Sequence, residues 1–424
     1  MNIVYIVHEN HYNELSGAPL ITKHYAEKAL NKKNNVAIIT PSENEINPYL
    51  NKKIIDGINF FNWPKSKGWN LTKPEMIEHK NFLKKIKIDF KPDIIHIIDL
   101  VNFRPDILEF CKNLRAPIIK HVINFEDLSF FDGELKYEHK NNKVDKGEKL
   151  NTCLTCINNH YHNEKKIAGH IAKFLWFRLN LDIKNYSDKL EKRRLEVMDI
   201  SEKYFDHLIF PTKNFADFYF SHLNLNKNFD IIGFGVKKNL KNSNKIFNPN
   251  KKINFIFVGG GSERKGWKLI ENSFDKILKK YENKINLRIY GFKKKTSKSK
   301  LANYKAVEFY DSFDSSDLYN TLAWADFGLT TSYFETYCKI LYEYLESGVI
   351  PISTNFFGSE IITNDINGIV INRSFKENLI KTVENILENP KVIERYSKNV
   401  KKTKILYEEE EFENIFNIYQ KLKR

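Results

Sequence analysis

Cysteine is scarce in this chain: four in 424 residues, at Cys111, Cys153, Cys156 and Cys338. So few thiols, so scattered, exclude a disulfide framework and point to a reducing cytoplasm. Long apolar runs are missing too, and none reaches the length of a membrane span. The opening "MNIVYIVHEN" has no basic lead and reads as a first strand rather than a signal peptide. The expectation is a soluble protein or one that rests on a membrane surface. No repeat of fixed period is present, which excludes solenoid and propeller arrays.

Apolar residues are ample at 42%, with 14% aromatics, so the chain can bury folded cores. Its length exceeds one hydrophobic core, and two domains are expected. The net charge of +15 invites anionic partners: phosphorylated substrates, nucleic acid or an acidic membrane face. Lys, Asn and Ile abound throughout, so a general compositional bias accounts for the charge equally well. Short β-branched runs alternate with helical patterns. "NIVYIV", "NVAIIT", "DIIHII", "APIIKHVI" and "DHLIFP" form one series; "INFIFVGG", "INLRIYG", "AVEFY", "DFGLTT", "VIPIST" and "GIVI" form a second. Such runs are apolar on both faces, as buried parallel strands are. Two βαβ series predict an α/β chain of two doubly wound, Rossmann-like domains facing across a cleft. The boundaries expected are 1–235 for the first domain, with an irregular insertion at about 129–203, and 236–252 for an Asn/Lys-rich linker. The second domain takes 253–403, and a terminal helix at 404–424 is able to return to the first domain.

Three stretches carry chemistry. In "SYFETYCKILYEYLESGVIPIST", Glu335 and Glu343 are eight residues apart, and Gly348 and Pro351 follow. Thr336 is suited to cap a helix that Gly348 ends. Backbone N–H groups of about Thr336, Tyr337 and Cys338 would then form an anion site for a diphosphate. A carboxylate accepts two hydrogen bonds from vicinal hydroxyls, which suits Glu335 to a sugar ring and Glu343 to a ribose. In "FVGGGSERKGWKLI", Gly260 and Gly261 allow close approach of a phosphate, and Arg264 and Lys265 can neutralise it. Trp267 stands where a P-loop needs Lys. In "NELSGAPLI", Gly17 opens a helix against which a ligand can sit.

In this order and on these elements, the stretches resemble the GT-B-fold retaining glycosyltransferases of family 4, the glycosyl transferases group 1. The pieces that carry the resemblance are "ETYCKILYE" with "SGVIPIST", the strand–"VGG…RKG"–helix, Ala325–Asp326, "NGIVI", the Gly17 loop and "PDIIHI" with His96. The resemblance implies that Glu335 holds donor-sugar hydroxyls and Glu343 the ribose. Lys265 would contact the diphosphate, with Arg264 in place of the family's Arg at Gly260. Backbone groups at Thr336, Tyr337 and Cys338 would also serve the donor, and Gly17 would border the transferred sugar. On the acceptor side it implies His96, His121 and Asn124; the family's His-Asp pair is replaced by Ile123 and Asn124. A Thr-Tyr-Cys run also replaces the usual Phe-Gly after the first Glu.

The activity implied is transfer of a sugar, with retention, from a UDP- or GDP-sugar to a glycan or lipid-linked acceptor in surface polysaccharide or glycoconjugate synthesis. No catalytic metal or other cofactor is expected. Cys153 and Cys156, with His160 and His162 close by, are candidate ligands of a structural zinc; plain reduced thiols are the alternative. The helix "AGHIAKFLWFRLNL" either packs in a core or rests on anionic lipid at the inner membrane face. Two other readings stand beside this one: a sugar-nucleotide epimerase on the same fold, and a basic nucleic-acid binder with a zinc knuckle. Against the latter, Lys residues are spread rather than clustered, and no nucleic acid partner is expected.

Overall fold

The computed structural model describes residues 1–9, 17–42, 52–65, 88–100, 103, 106–124, 137–138, 143–144, 199–223, 225–239, 251–261, 264–292, 299–311, 317–372 and 377–423. The Cys153–Cys156 pair and the aromatic stretch at 168–181 lie outside them. The chain divides into two compact units. The first comprises Met1–Glu138, Asp145–Ile232 and Phe412–Arg424; the second comprises His139–Val144 and Gly233–Glu411.

In the first unit the β-branched runs form β1 (Asn2–Ile6), β2 (Asn35–Ser42), β3 (Lys52–Ile55), β4 (Ile58–Pro64), β5 (Ile94–Ile97), β6 (Ile118–His121), β7 (His207–Phe210) and β8 (Phe229–Ile231). They order as β8-β7-β6-β5-β1-β2-β4-β3, parallel throughout except β3 against β4. Every residue of β5, β6 and β7 is buried, which explains their lack of polar alternation. Helix α1 (Gly17–Asn31) lays Ala18, Thr22, Tyr25, Ala26 and Ala29 inward, a helical spacing. From Phe412 onward, α9 (Glu408–Leu422) belongs to this unit, and its Phe412, Ile415 and Tyr419 are buried.

In the second unit β9 (Ile253–Val258), β10 (Ile285–Tyr290), β11 (Val307–Tyr310), β12 (Phe327–Thr330), β13 (Ile350–Thr354) and β14 (Ile369–Ile371) order as β11-β10-β9-β12-β13-β14. This is the doubly wound 3-2-1-4-5-6 arrangement, with its topological switch between β9 and β12. Residues 233–239 fall within this unit. Val236 is fully buried, its N–H donates to Leu406 O at 3.0 Å, and its carbonyl accepts from Glu408 N at 3.2 Å.

One device recurs in both sheets. Asp93, Asp206 and Asp326 each stand immediately before a strand. Each accepts the backbone N–H at the start of the neighbouring strand: Asn2 at 2.7 Å, Ile118 at 2.8 Å and Asn254 at 2.8 Å. The carboxylate satisfies a donor that the ladder leaves unpaired, so the "PD" and "AD" dipeptides have a structural reason.

Among the described residues no helix is long and apolar enough to cross a membrane.

Candidate active site

The site is built at the switch of the second sheet. β9 runs out into Gly259–Gly261, and β12 runs out into Thr331 and Ser332. Gly260 turns with φ 65° and donates its N–H to Tyr290 O at 3.1 Å. The chain then reaches Gly266, in left-handed conformation at φ 74°, which starts α4 (Trp267–Tyr281). A Cβ on Gly266 would lie 1.9 Å from the Thr331 carbonyl oxygen, so only glycine lets these two segments touch. The Thr331 hydroxyl fastens the contact by donating to Lys265 O at 3.0 Å and Gly266 O at 3.2 Å. The Tyr333 N–H adds a bond to Arg264 O at 2.9 Å. Two loops from strands distant in sequence are thereby held as one wall.

That wall presents a cation and a carboxylate. Lys265 Nζ lies 2.6 Å from Glu335 Oε1, and the two side chains are 29% and 13% exposed. A hollow beside them is lined by Phe257, Val258, Lys265, Thr330, Thr331, Ser332, Cys338 and Ile340. The Thr330 hydroxyl is buried there and meets no partner among the described residues. Helix α6 (Lys339–Glu346) begins at this point. Its start is a correction to the sequence reading: Thr336 does not cap it. Cys338 does, through a left-handed φ of 73° and with no side-chain hydrogen bond. The N–H groups at the head of the helix are therefore those after Cys338, three residues beyond the expected start.

Each residue expected at the donor site has a definite place. Lys265 and Cys338 line the hollow, and Glu335 pairs with Lys265. Burial pushes the Cys338 thiol well above its usual range, with the Glu335 charge adding to it. Thr336 is half-buried. The Tyr337 ring is buried among Tyr342, at 4.2 Å and nearly parallel, Phe234 and Gly233, and Gly358 packs on its backbone carbonyl. Glu343 is half-buried on α6; desolvation lifts its carboxyl above the ordinary range, Lys339 opposes that shift and Glu408 adds to it. Arg264 is exposed on the turn before Gly266, and Gly261 abuts the Phe292 ring. Gly17 lies in the first unit at φ 59°, where an added Cβ would meet nothing within 4 Å among the described residues.

The expected acceptor-side histidines sit elsewhere than a ligand contact requires. His96 and His121 are fully buried. Their rings stack on one another at 5.6 Å and on Tyr25 at 5.9 and 6.2 Å. His96 Nδ1 lies 2.6 Å from the Tyr419 hydroxyl of α9. They hold α1 and α9 on the first sheet. Alternation along β5 and β6 points them into this layer rather than at the sheet edge. Asn124, just past β6, is half-buried. What the sequence reading missed is a His8–Asp99 pair at the carboxyl edge of the same sheet; the only signal was a polar residue directly after each apolar run, in "YIVH" and "HIID".

Among the described residues no group of three metal-ligating side chains occurs.

No curated protein matches the chain in sequence. Solved structures match its fold. A sucrose-phosphate synthase from Thermosynechococcus elongatus aligns over 99% of this chain and 98% of its own, at 12% identity and a TM-score of 0.65. WaaG, a glycosyltransferase of lipopolysaccharide biosynthesis, aligns over 98% and 99%, at 14% identity and 0.61. HepE of Anabaena, solved with UDP and glucose, aligns over 99% of both chains, at 10% identity and 0.59. These are GT-B structures, and the two Rossmann-like sheets described above are that fold. Residues 238–403 match the family model described as Glycosyl transferases group 1. The chain thus has the GT-B fold, and the stretch that matches the glycosyl transferases group 1 model falls in its second unit.

Proposed function

We propose that this chain is a retaining glycosyltransferase that takes a sugar from a UDP- or GDP-sugar and gives it to a hydroxyl of a glycan or lipid-linked acceptor. The observation that carries the reading is the Lys265–Glu335 pair, 2.6 Å apart at the switch of the second sheet. Breaking a glycosyl phosphate bond puts negative charge on the departing diphosphate. Lys265 is the cation placed to offset that charge, together with the N–H groups that open α6. Glu335 then turns from its partner to the donor-sugar hydroxyls, and Glu343 serves the ribose. Neighbouring folds support the donor class, since HepE was solved with UDP-glucose and an Escherichia coli trehalose-6-phosphate protein with UDP-2-fluoro glucose. Retention rests on the resemblance to family 4, as does a role in surface polysaccharide or glycoconjugate synthesis. The net charge of +15 favours work at the inner face of an anionic membrane.

The test is a panel of nucleotide sugars screened by thermal shift, followed by measurement of free nucleotide released and of the product's anomeric configuration. One donor is expected to stabilise the protein, and Glu335→Gln to lose turnover while melting as wild type does. A Glu335→Gln enzyme as fast as wild type refutes the donor assignment.

A further inference from the structure

The hollow beside Lys265 holds a side chain that packing alone does not explain. Its lining residues all belong to the second unit. In β12, Gly328 and Thr330 are two residues apart and share one face of the strand. An added Cβ on Gly328 would lie 2.4 Å from the Tyr344 ring, so α6 covers that face. Thr330 therefore sits beneath the head of α6, only 4% exposed, with Leu329 wholly buried on the opposite face. The Thr330 hydroxyl meets no hydrogen-bond partner among the described residues.

Burying a hydroxyl without a partner is costly, and nearly all buried polar groups are paired. Valine has the same shape, suits a strand as well and carries no such penalty. Neighbouring threonines show the ordinary outcome. The Thr331 hydroxyl donates to Lys265 O and Gly266 O, and the Thr354 hydroxyl to Ser332 O at 2.6 Å. The Thr330 hydroxyl faces the hollow instead. That hollow encloses about 10 Å³, room for one oxygen-sized group. Phe257, Thr330 and Ser332 form its buried floor, whereas Val258, Lys265 and Ile340 are half-buried at its rim. The rim thus carries a cation and the first turn of α6, whose N–H groups have no partner within the helix. What fits is a single oxygen bearing negative charge that enters past Lys265.

We propose that Thr330 is a diphosphate-binding residue: its hydroxyl donates to one phosphoryl oxygen of the bound nucleotide, and that oxygen occupies the hollow; this rests on the glycosyl-transfer reading above. The ligand class is a nucleoside diphosphate, free or as part of a nucleotide sugar. The phosphorus then stands at the rim beside Lys265. The two side chains divide the work. Lys265 acts as a point charge, with little preference for direction. A hydroxyl donates along one line, so Thr330 selects one oxygen and fixes how the phosphoryl group is turned. Binding also satisfies a hydroxyl that the fold leaves unpaired, which removes the cost of burying it. Thr330 is thus a specificity residue for phosphate placement, where Lys265 answers to charge.

The experiment titrates the full chain with UDP, GDP, uridine and guanosine, comparing wild type with Thr330→Val, Thr330→Ala and Thr330→Ser. For the diphosphate that wild type binds, Thr330→Val is expected to lose about 10–100-fold in affinity and to keep the matching nucleoside within about twofold, since only a bond to a charged oxygen is gone. Without nucleotide its melting point should equal or exceed that of wild type, because an unpaired buried hydroxyl has been removed. Thr330→Ala also lacks the hydroxyl and should show the same split between diphosphate and nucleoside. Thr330→Ser keeps the hydroxyl and should bind the diphosphate within about threefold of wild type. Unchanged diphosphate affinity in Thr330→Val overturns the proposal, leaving a hydroxyl that meets only buried water. Equal weakening of diphosphate and nucleoside marks a distorted site and overturns it too. Wild-type protein that binds neither UDP nor GDP refutes the glycosyl-transfer reading itself, and the role of Thr330 falls with it.

Discussion

Replacing Gly266 by alanine tests whether the wall of the site depends on one close contact. Gly266 sits at φ 74°, ψ 26°, and an added Cβ would stand 1.9 Å from the Thr331 carbonyl oxygen, 2.6 Å from its carbon and 2.8 Å from its hydroxyl. The left-handed backbone costs a non-glycine residue about 1–2 kcal/mol. Forcing the two loops apart adds about 1–3 kcal/mol, as overpacking does. A control separates these contributions. Gly348, which ends α6, has nearly the same φ of 73°, but an added Cβ there meets nothing within 4 Å among the described residues. Gly348→Ala is therefore expected to lose only the backbone part. In a domain of this size each kcal/mol moves the melting point by roughly 2–4 °C, so Gly348→Ala should lose about 2–8 °C and Gly266→Ala about 4–20 °C. The displaced Thr331 also carries the bonds to Lys265 O and Gly266 O, so Gly266→Ala should lose nucleotide affinity while Gly348→Ala keeps it. Thermal unfolding and nucleotide titration of both variants decide the matter. Equal melting points for the two, or unchanged nucleotide affinity in Gly266→Ala, would refute the reasoning.

Other outcomes follow from the same geometry. Lys265→Met should weaken nucleoside diphosphate binding by about 1.5–3 kcal/mol, read by calorimetry, because a charge-assisted hydrogen bond to phosphate is lost. Its melting point should move little, since the ion pair with Glu335 is partly exposed and such pairs contribute about 0–1 kcal/mol. Burial lowers both His96 and His121, the latter to about 3, with the Lys120 charge adding to that shift in His121. The unfolded chain then binds more protons below pH 6.5, so stability present above that pH is lost as the pH falls towards the folded values. From pH 7 to pH 5, His121 alone should cost about 2 kcal/mol. His121→Phe should flatten that part of the pH–melting curve. Tyr419→Phe removes the hydroxyl beside His96 Nδ1 and should cost about 1 kcal/mol in chemical denaturation.

Both sheets were legible because buried parallel strands announce themselves. Runs such as "NIVYIV" and "INFIFV" are β-branched on both faces, and no helix of their length needs that. Lys265 and Glu335 stood out in the sequence because each falls in a short connection from a strand to a helix, after Val258 and after Thr330. The head of α6 was misread because Thr336 has the chemistry of a cap, whereas the chain turns at Cys338, a residue with no left-handed preference. His96 and His121 were placed on the acceptor side by the family resemblance, which says nothing of how their rings pack. Their stacking on Tyr25 comes from α1, and the His96–Tyr419 contact comes from a helix more than three hundred residues away in sequence. The His8–Asp99 pair was hidden for the same reason: it spans 91 residues, and only the parallel register brings its members to one level.

The order of synthesis acquires a meaning from α9. Phe412, Ile415 and Tyr419 fill the interior of the first unit, yet the ribosome makes them only after Gly233–Glu411. While the second unit emerges, the first waits with Tyr25 and His96 uncovered on its helix-bearing face. During that interval its apolar surface depends on chaperones, or on how fast translation proceeds, to escape aggregation.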